Sequence, residues 1–543
     1  MVTVMETRPT PDVATANGTS QTAHSARRWW ALIAIAASLL VVGLDLTVLN
    51  LALPTIAGDL HASTGDLQWI SDAYSLVLAA AILPAGLLGD RYGRKRVLLI
   101  ALALFGVASV LCAYAASVGE LIAARALLGV GAAAIMPLAL SVLPVMFTAA
   151  ERPRAIVIIT STTFISFPIG PIVGGVLLDH FWWGSVFLIN VPVVAIALVA
   201  VAFLMPESRS SRKPSLDLVG ILVSSAGLTG VTYGLIKAGQ DGWSDTVAMA
   251  TLLGGIVLLA LFVLWERRIT ARGSVPLVDL GLFRSPGFRW GTILVTLVSF
   301  AMFGLLFAMP QYFQGVQGTN ALGSGLRLLP LVGGLLVGSI GASRLQSPRK
   351  GPDGQPLPAM TGARPVVAAG YLVMAVAMVI GAFTTIGSST GFALAWIAIA
   401  GLGLGLAMPS AMNVAIGALS AERSGSGSAL ISALRQVGAT IGVAVLGTVI
   451  SNAYRGALST GSLPAPVAAV ARSGVVGGVA VARRLGSASF LDEVRTAFVH
   501  GMDAMLWVCG GIAIAAAVLA IAFLPRRAAE EVEPAASTEP LPM

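Results

Sequence analysis

Three charged residues lie inside otherwise apolar stretches of the chain, and their types point to proton chemistry. Asp45 is deep in the first stretch, Asp72 is near the start of the second, and Arg125 is inside the fourth. A carboxylate in the hydrocarbon core of a membrane costs about 2.5–3.5 kcal/mol, so one that stays there usually has a function. Desolvation favours the protonated carboxyl, and a neighbouring arginine favours the ionised one. A carboxyl between these two influences can bind and release a proton, which makes Asp45 the candidate proton carrier.

A depth estimate places these residues at similar levels. A helical rise of about 1.5 Å per residue puts Asp45 about 23 Å and Arg125 about 22 Å from the inner edge of a core about 30 Å thick. Asp72 falls slightly further out, so we predict one layer of charge in the outer half of the membrane. Simpler explanations stay open: Asp45 could be a protonated group that only hydrogen-bonds a neighbouring helix, and Asp72 could be an interfacial acid at a helix end.

The elements that must position these residues are membrane-spanning helices. Of the 543 residues, 56% are apolar and only 11% are charged, which excludes an ordinary soluble enzyme, a disordered chain and a disulfide scaffold. A helix needs about 20 predominantly apolar residues to cross a bilayer. We predict an all-α integral membrane protein with fourteen spans, near residues 29–53, 69–89, 97–116, 120–146, 155–177, 185–205, 217–236, 247–265, 290–312, 323–343, 365–386, 391–414, 427–453 and 503–524.

The basic residues indicate the direction of the chain, because Arg and Lys gather on the cytoplasmic side of membrane proteins. With the N-terminus inside, most of the 33 basic residues fall in inside segments, including Arg27 and Arg28. An even number of spans puts both termini in the cytoplasm, and the expected location is a bacterial cytoplasmic membrane. The net charge of +8 comes from loop arginines, so we expect no nucleic-acid partner.

The sequence offers no ATP site, metal site or catalytic centre. A Walker A loop needs Gly-Lys followed by Ser or Thr, and no lysine of this chain has that context. The histidines fall in loops or at span ends. The sequence has no His-Glu-x-x-His run and no closely spaced pair of cysteines that could bind a metal. We therefore expect no enzyme activity, no metal and no cofactor, and we expect an ion gradient to supply the energy.

The loop between spans 2 and 3 combines glycines with charged residues. It places paired glycines around an acidic residue and its basic neighbour, followed by a basic cluster: Gly86, Gly89, Asp90, Arg91, Gly93, Arg94, Lys95 and Arg96. Glycines permit a tight turn, and Asp90 can face a cation or a helix N-terminus in one conformation and release it in another. An anchoring loop would explain the basic residues but not the glycines. We predict a conformational switch here.

This loop resembles the signature loop of the major facilitator superfamily, and other stretches agree. Residues 44–54 resemble the marker of the fourteen-span drug:proton antiporters, and Arg125 with Gly129 is similar to a family motif linked to proton relay. Residues 166–175 resemble the antiporter motif, whose main positions here are Gly170, Pro171, Gly174 and Gly175. A proline in this position is expected to kink the span, and the glycines are expected to permit close packing.

The runs 69–79 and 187–192 are similar to QacA-type multidrug exporters. The resemblance implies two six-helix bundles, at 29–205 and 290–524, with two spans inserted in 206–289. Stretches at 341–344 and 362–365 weakly repeat the signature loop, as duplicated halves would. The implied activity is proton-coupled export of lipophilic drugs or antibiotics by alternating access, giving multidrug resistance. The alternatives are a dedicated exporter of one endogenous antibiotic, peptide or lipid, and a membrane sensor that does not transport.

A substrate cavity is expected near the midplane between the bundles. Its candidate walls are aromatic, flexible or amide side chains of spans 5, 9, 12 and 13, each of which could instead face lipid or the core: Phe164, Phe167, Phe303, Phe307, Gln311, Met408, Asn413 and Gln436. Arg435 is a further candidate, since it stands in span 13, where QacA-type exporters carry an acid that recognises divalent cations. The expected substrates are therefore monovalent lipophilic cations and neutral or zwitterionic antibiotics. Protons and membrane lipids are the other expected partners, and a monomer is the expected unit.

Four segments lie outside the predicted spans. Residues 1–28 and 525–543 are polar and are expected to be cytoplasmic tails, the second of them acidic. The loop 346–363 is predicted to be irregular. The loop at about 454–502 is expected outside the cell, where it could form a hairpin, a helical cap or a tether.

Overall fold

A computed structural model describes most of the chain, and the described part is helical apart from two very short strands. The described residues are 16–60, 64–148, 151–209, 217–273, 276–347, 349–350, 356–357, 361–419, 424–461, 463–472 and 474–525. Within these ranges, the side chains of Asp72, Phe164, Phe167 and Pro171 are among those outside the description.

Long apolar runs form helices because a bilayer leaves the backbone no partner except itself. The N-terminal helices are α1 (Ala16–Asp59), α2 (Thr64–Tyr92), α3 (Arg94–Ala113), α4 (Val118–Ser141), α5 (Leu143–Met146), α6 (Arg152–His180), α7 (Ser185–Leu188) and α8 (Asn190–Leu204). They are followed by α9 (Leu218–Asp241) and α10 (Thr246–Ala271).

A 3₁₀ turn at Leu280–Arg284 leads into the C-terminal helices, and α11 is continued by a π-helical turn at Tyr312–Val316. These helices are α11 (Pro286–Gln311), α12 (Ala321–Arg327), α13 (Leu329–Gln346), α14 (Ala363–Gly381), α15 (Thr390–Gly417), α16 (Ser424–Ala457), α17 (Ala465–Arg472), α18 (Val475–Leu485) and α19 (Ala488–Phe523).

The all-α membrane class is confirmed, and each of the fourteen predicted spans lies on a helix. Within the described chain, 12 helical segments are long and apolar enough to cross a membrane, and α2 makes 13 if its two bent parts count as one span. The bend is 51° between Ala73–Ile82 and Pro84–Tyr92, because a proline inside a helix removes a hydrogen bond and clashes with the preceding turn. Helix α6 carries the remaining predicted span, so the count of fourteen stays a prediction.

The two halves repeat one pattern of helix packing. In the N-terminal half, α1 packs on α6, α2 on α4, and α3 on α4 and α8; in the C-terminal half, α11 packs on α16, α13 on α15, and α14 on α15 and α19. Buried apolar side chains form one cluster from Ala31 to Met205 and another that lies mainly between Leu277 and Leu524. This repetition is what an internal duplication produces.

Helices α9 and α10 form a hairpin that lies against both halves. A Cβ built on Gly234 would lie 2.6 Å from the backbone nitrogen of Leu252, so the glycines bring the two backbones into close contact. Helix α9 packs on α2 and on α16, and the Ser225 hydroxyl donates to the Ala80 carbonyl at 2.9 Å. The inserted hairpin therefore covers one side of the junction between the halves, while α6 contacts α12 and α13 on another.

The predicted bounds of the loop 454–502 are wrong. Helix α16 continues to Ala457, and α19 begins at Ala488, well before the predicted residue 503. The first turns of α19 are amphipathic, with Val494 and Phe498 buried and Asp492 exposed. The charged residues on the exposed face lower the mean hydropathy of these turns, so the sequence did not indicate a helix there. Between them, α17 and α18 pack together and α18 packs on α19. This segment is therefore largely helical rather than an irregular tether, and the choice between a hairpin and a cap stays open.

Two other segments are more ordered than expected. The loop 346–363, predicted to be irregular, contains antiparallel strands at Arg349–Lys350 and Pro356–Leu357. Helix α1 begins at Ala16, within the predicted tail 1–28. Neither the short strands nor the first turns of α1 carry a periodic apolar pattern. Backbone hydrogen bonds alone leave little trace in a sequence, which is why both features were missed.

Candidate functional site

Asp45 of α1 and Arg125 of α4 form a buried ion pair. The Arg125 Nη1 and Asp45 Oδ2 atoms are 2.5 Å apart, and each side chain is only 2% exposed. Arg125 has two further partners on α2: its Nε donates to the Ile70 carbonyl at 3.1 Å, and its guanidinium lies 4.6 Å from the centre of the Tyr74 ring. The structure thus places in contact the two residues whose estimated depths agreed. The Asp72 side chain lies outside the description.

The spacing of Arg125 and Gly129 follows from how α4 meets α2. Ile70 and Tyr74 are one helical turn apart, and so are Arg125 and Gly129. A Cβ built on Gly129 would lie 2.7 Å from the Tyr74 carbonyl oxygen. Only glycine permits this approach without a backbone shift, and the approach brings Arg125 within reach of the Ile70 carbonyl one turn away.

We expect Gly129→Ala to destabilise the protein and weaken the ion pair. The added methyl group meets backbone atoms that cannot rotate away, and such overpacking costs about 1–3 kcal/mol. The measurement is unfolding in detergent, together with transport in vesicles. Gly119→Ala is the matched control, because a Cβ at Gly119 on the same helix meets nothing within 4 Å. Equal stability of the two variants would contradict this explanation of the spacing.

The loop between α2 and α3 is tied to the end of α8. Asp90 Oδ1 accepts from Arg94 Nη2 at 2.8 Å within the loop. The Arg94 backbone nitrogen donates to the Ser208 carbonyl at 2.8 Å, and the Lys95 ammonium donates to the Ala202 carbonyl at 2.6 Å. The Arg91 guanidinium carbon lies 5.6 Å from the centre of the Tyr92 ring. These bonds connect the end of α2, the start of α3 and the end of α8.

Gly93 makes the sharp turn of this loop possible. Its φ of 107° is a backbone conformation that side chains rarely adopt, and the Glu207 side chain lies where a Cβ would be. Gly86, also named in the predicted switch, lies further back, within α2 itself.

We expect Gly93→Ala to cost about 1–3 kcal/mol of stability through backbone strain and to slow transport. The initial rate in vesicles and the unfolding midpoint in detergent measure the two effects. Gly254→Ala serves as control, because that glycine is helical and a Cβ there meets nothing. A fully active and stable Gly93→Ala protein would show that the turn needs no glycine.

The candidate antiporter motif lies where the halves meet. Helix α6 is continuous through Pro171, so this proline does not end it, and the expected kink stays a prediction. Gly170 and Gly174 are buried. A Cβ built on Gly175 would lie 3.4 Å from the Leu322 backbone nitrogen on α12, in the other half. The side chains of Phe164 and Phe167 on this helix lie outside the description.

The candidate cavity residues of the C-terminal half separate into three groups. Met408 is only 3% exposed and lies in the apolar core of the bundle in this conformation, and its place in a cavity wall stays a prediction. Phe307 is 41% exposed, and Gln311 donates to its carbonyl at 3.0 Å. Of the remaining candidates, Asn413 is exposed, whereas Phe303 and Gln436 are partly buried.

Sequence reasoning missed two membrane acids because each stands at the edge of a predicted span. Asp503 is partly buried within α19, directly before the uncharged apolar run 504–523. Glu266 is fully buried near the end of α10, and its Oε2 accepts from the Val278 backbone nitrogen at 3.4 Å. Among described atoms, Asp503 Oδ1 and Glu266 Oε1 have no hydrogen-bond partner. Tracing the amphipathic start of α19 would have revealed Asp503.

Two repeated helical bundles, an inserted hairpin and a buried carboxylate–arginine pair define a multi-pass membrane transporter with related halves. The family model of the Major Facilitator Superfamily matches residues 35–443, and the chain belongs to this superfamily.

Curated relatives are similar over nearly the whole chain. The tetracenomycin C resistance and export protein of Streptomyces glaucescens is 35% identical over 528 residues, covering 95% of each chain. The multidrug efflux pump LfrA of Mycolicibacterium smegmatis is 35% identical over 520 residues, covering 93% of this chain and 98% of the pump. The crystal structure of a bacterial homologue of the human lysosomal transporter Spinster has the same fold. It has a TM-score of 0.58 and 17% identity, and the match covers 91% of this chain and 96% of that one.

Proposed function

We propose that this protein is a proton-coupled antiporter that exports lipophilic drugs or antibiotics by alternating access, and that it acts in a bacterial cytoplasmic membrane with both termini inside. The names of its relatives support export, and the Asp45–Arg125 pair is the observation that carries the coupling. It is a buried, titratable contact between two helices of the N-terminal bundle. The working unit is a monomer.

The geometry suggests how protonation would open the pair. A proton that binds to Asp45 Oδ2 removes the negative charge that holds the Arg125 guanidinium. Arg125 keeps the Ile70 carbonyl and the face of Tyr74, so its positive charge stays partly compensated on α2. Helix α1 is then free to move relative to α2 and α4, and loss of the proton restores the contact.

The movement would reach the rest of the molecule through contacts already described. The loop after α2 is bonded to the end of α8, and α2 also packs on α16 of the other half. The Asp90–Arg94 pair and Gly93 make this loop the proposed switch. The inserted hairpin, which contacts α2 and α16, would follow the junction as it opens.

Proton entry supplies enough energy for steep export. One charge crossing 100 mV releases about 2.3 kcal/mol, and a pH difference of one unit adds about 1.4 kcal/mol. With one proton exchanged for each neutral substrate, a concentration ratio of about 500 can be held.

The test is substrate uptake into inside-out membrane vesicles that contain the protein. We expect export of ethidium and several antibiotics when the inside-out vesicles are energised, and we expect an uncoupler to abolish it. Export of one chemical class only would favour a dedicated exporter, which the name of the tetracenomycin relative makes the second candidate. If no compound in the panel produced uncoupler-sensitive flux, a sensor would become the better interpretation.

A further inference from the structure

Arg435 is a cation inside α16 that the proton chemistry does not use. Its side chain is partly buried, and its nitrogens are not among the fully buried atoms of the described chain that lack a hydrogen-bond partner. Charged side chains within membrane spans almost always face the interior of the helix bundle or a water-filled cavity rather than lipid, so the accessible part of Arg435 is expected to border an internal space. Arg435 follows the helix start at Ser424 by 11 residues, which is about 16 Å along the helix axis.

Helix α16 lies at the junction of the two halves. On one side it packs closely on α11, since a Cβ built on Gly438 would lie 2.6 Å from the Thr296 carbonyl oxygen. On other sides it contacts α2 and α4 of the N-terminal half and the inserted helix α9. An internal space beside Arg435 therefore lies where alternating access opens the molecule.

The charge of Arg435 is unmatched by the described acids. The ion pairs in the described part of the chain join Arg28 to Glu151, Arg94 to Asp90 and Arg125 to Asp45, and none includes Arg435. Arg125, another arginine inside a predicted span, contacts three protein groups that compensate its charge: a carboxylate, a carbonyl and the face of an aromatic ring. A guanidinium stays protonated in proteins, and an uncompensated buried charge is strongly destabilising. An anion in the adjoining space would compensate it.

We propose that Arg435 binds a carboxylate of the exported molecule, so that the substrates are lipophilic organic acids or zwitterions. This inference rests on the proposed export function and adds the charge of the cargo. The guanidinium presents a planar set of donors that matches a carboxylate with two parallel hydrogen bonds. It ranks the expected substrates by charge: we expect lipophilic cations such as ethidium to be exported less efficiently than lipophilic acids or zwitterions, because Arg435 repels a positive charge.

The proposal has an electrical consequence. Export of a neutral molecule in exchange for a proton moves one positive charge inward. Export of a monoanion in exchange for a proton moves the equivalent of two positive charges inward, because a negative charge that leaves is electrically the same as a positive charge that enters. Exchange of a monocation for a proton moves none. Transport of an acid should therefore depend more steeply on membrane voltage than transport of its neutral analogue.

The experiment uses the full chain in proteoliposomes with a potassium diffusion potential and no pH gradient. The probes are a lipophilic dye that carries a carboxylate and the primary amide of the same dye. We expect the acid to show the steeper voltage dependence. We also expect the ratio of kcat/KM for acid over amide to fall about tenfold to a hundredfold in Arg435→Gln, and to be largely kept in Arg435→Lys.

The possible failures are distinguishable. If the wild-type protein moves neither probe nor any compound of the efflux panel, the export function fails and this inference with it. A second outcome is that the wild-type protein transports the amide in an uncoupler-sensitive way, transports the acid no better, and shows the same voltage dependence for both. Only the carboxylate site is then refuted. An unchanged acid-to-amide ratio in Arg435→Gln would refute it as well. The voltage comparison needs no variant, so it decides even if Arg435→Gln does not fold.

Discussion

Asp45→Asn is expected to reduce uphill, proton-driven export to background in reconstituted vesicles. Asparagine keeps the shape of the side chain but cannot exchange a proton in the physiological range, so the step that couples the gradient to transport is lost. Movement of substrate down its own gradient should persist, because Arg125 keeps its two contacts on α2. The measurement is substrate accumulation against an imposed pH gradient, compared with downhill flux in the same vesicles. Asp492→Asn, at an exposed position on α19, is the matched control.

A loss of stability could imitate a loss of coupling, so the design includes a second variant. Removing one member of a buried ion pair costs about 3–5 kcal/mol, and Asp45→Asn leaves Arg125 without its carboxylate. Asp45→Glu keeps the titratable group and should retain part of the coupled transport. The coupling role would be wrong if folded Asp45→Asn protein still accumulated substrate to wild-type levels.

Arg125→Leu is expected to have the second-largest effect. Without the guanidinium, the buried Asp45 carboxyl has no cation to stabilise its ionised form, and the Ile70 carbonyl loses its donor. The single variant should lose about 3–5 kcal/mol of stability and its coupled transport. The double variant Arg125→Leu with Asp45→Asn should regain part of the stability, because no unmatched charge remains, and should still not couple. Unfolding of all four proteins in detergent gives this comparison.

If the stability losses of the two single variants simply added in the double variant, the ion pair would be contradicted. Substitutions at independent sites have additive effects on the free energy of unfolding, whereas substitutions of contacting residues do not. Recovery of transport in the double variant would contradict the coupling role of the carboxyl.

The sequence was most informative where helix geometry alone sets position. Asp45 and Arg125 could be placed at one depth because the rise per residue of a helix is constant, and the structure brings them into contact. The role of Gly129 as the site of contact with Tyr74 could not be derived in this way. It depends on which face of α4 meets α2, and a helix that is apolar all round does not indicate its partner.

Charged residues at the ends of helices caused the main errors. Asp492 and Arg495 lower the apolar character of the start of α19, so the sequence indicated a helix only from 503, whereas the helix begins at Ala488. Met408 has the flexible side chain that suits a cavity wall, but only tertiary packing decides between cavity and core. Arg435 was noted for its type, and its depth and lack of a described partner became visible only in the fold.

The most direct test of the central claim is proton release on substrate binding, measured with a pH indicator in weakly buffered detergent solution at a series of pH values from acidic to neutral. If the account is correct, adding a transported substrate to the wild-type protein releases protons in proportion to the sites filled, and Asp45→Asn protein binds the same substrate without releasing any. Equal release from both proteins, or binding by the wild-type protein with no release, would contradict the exchange of a proton at Asp45 for substrate.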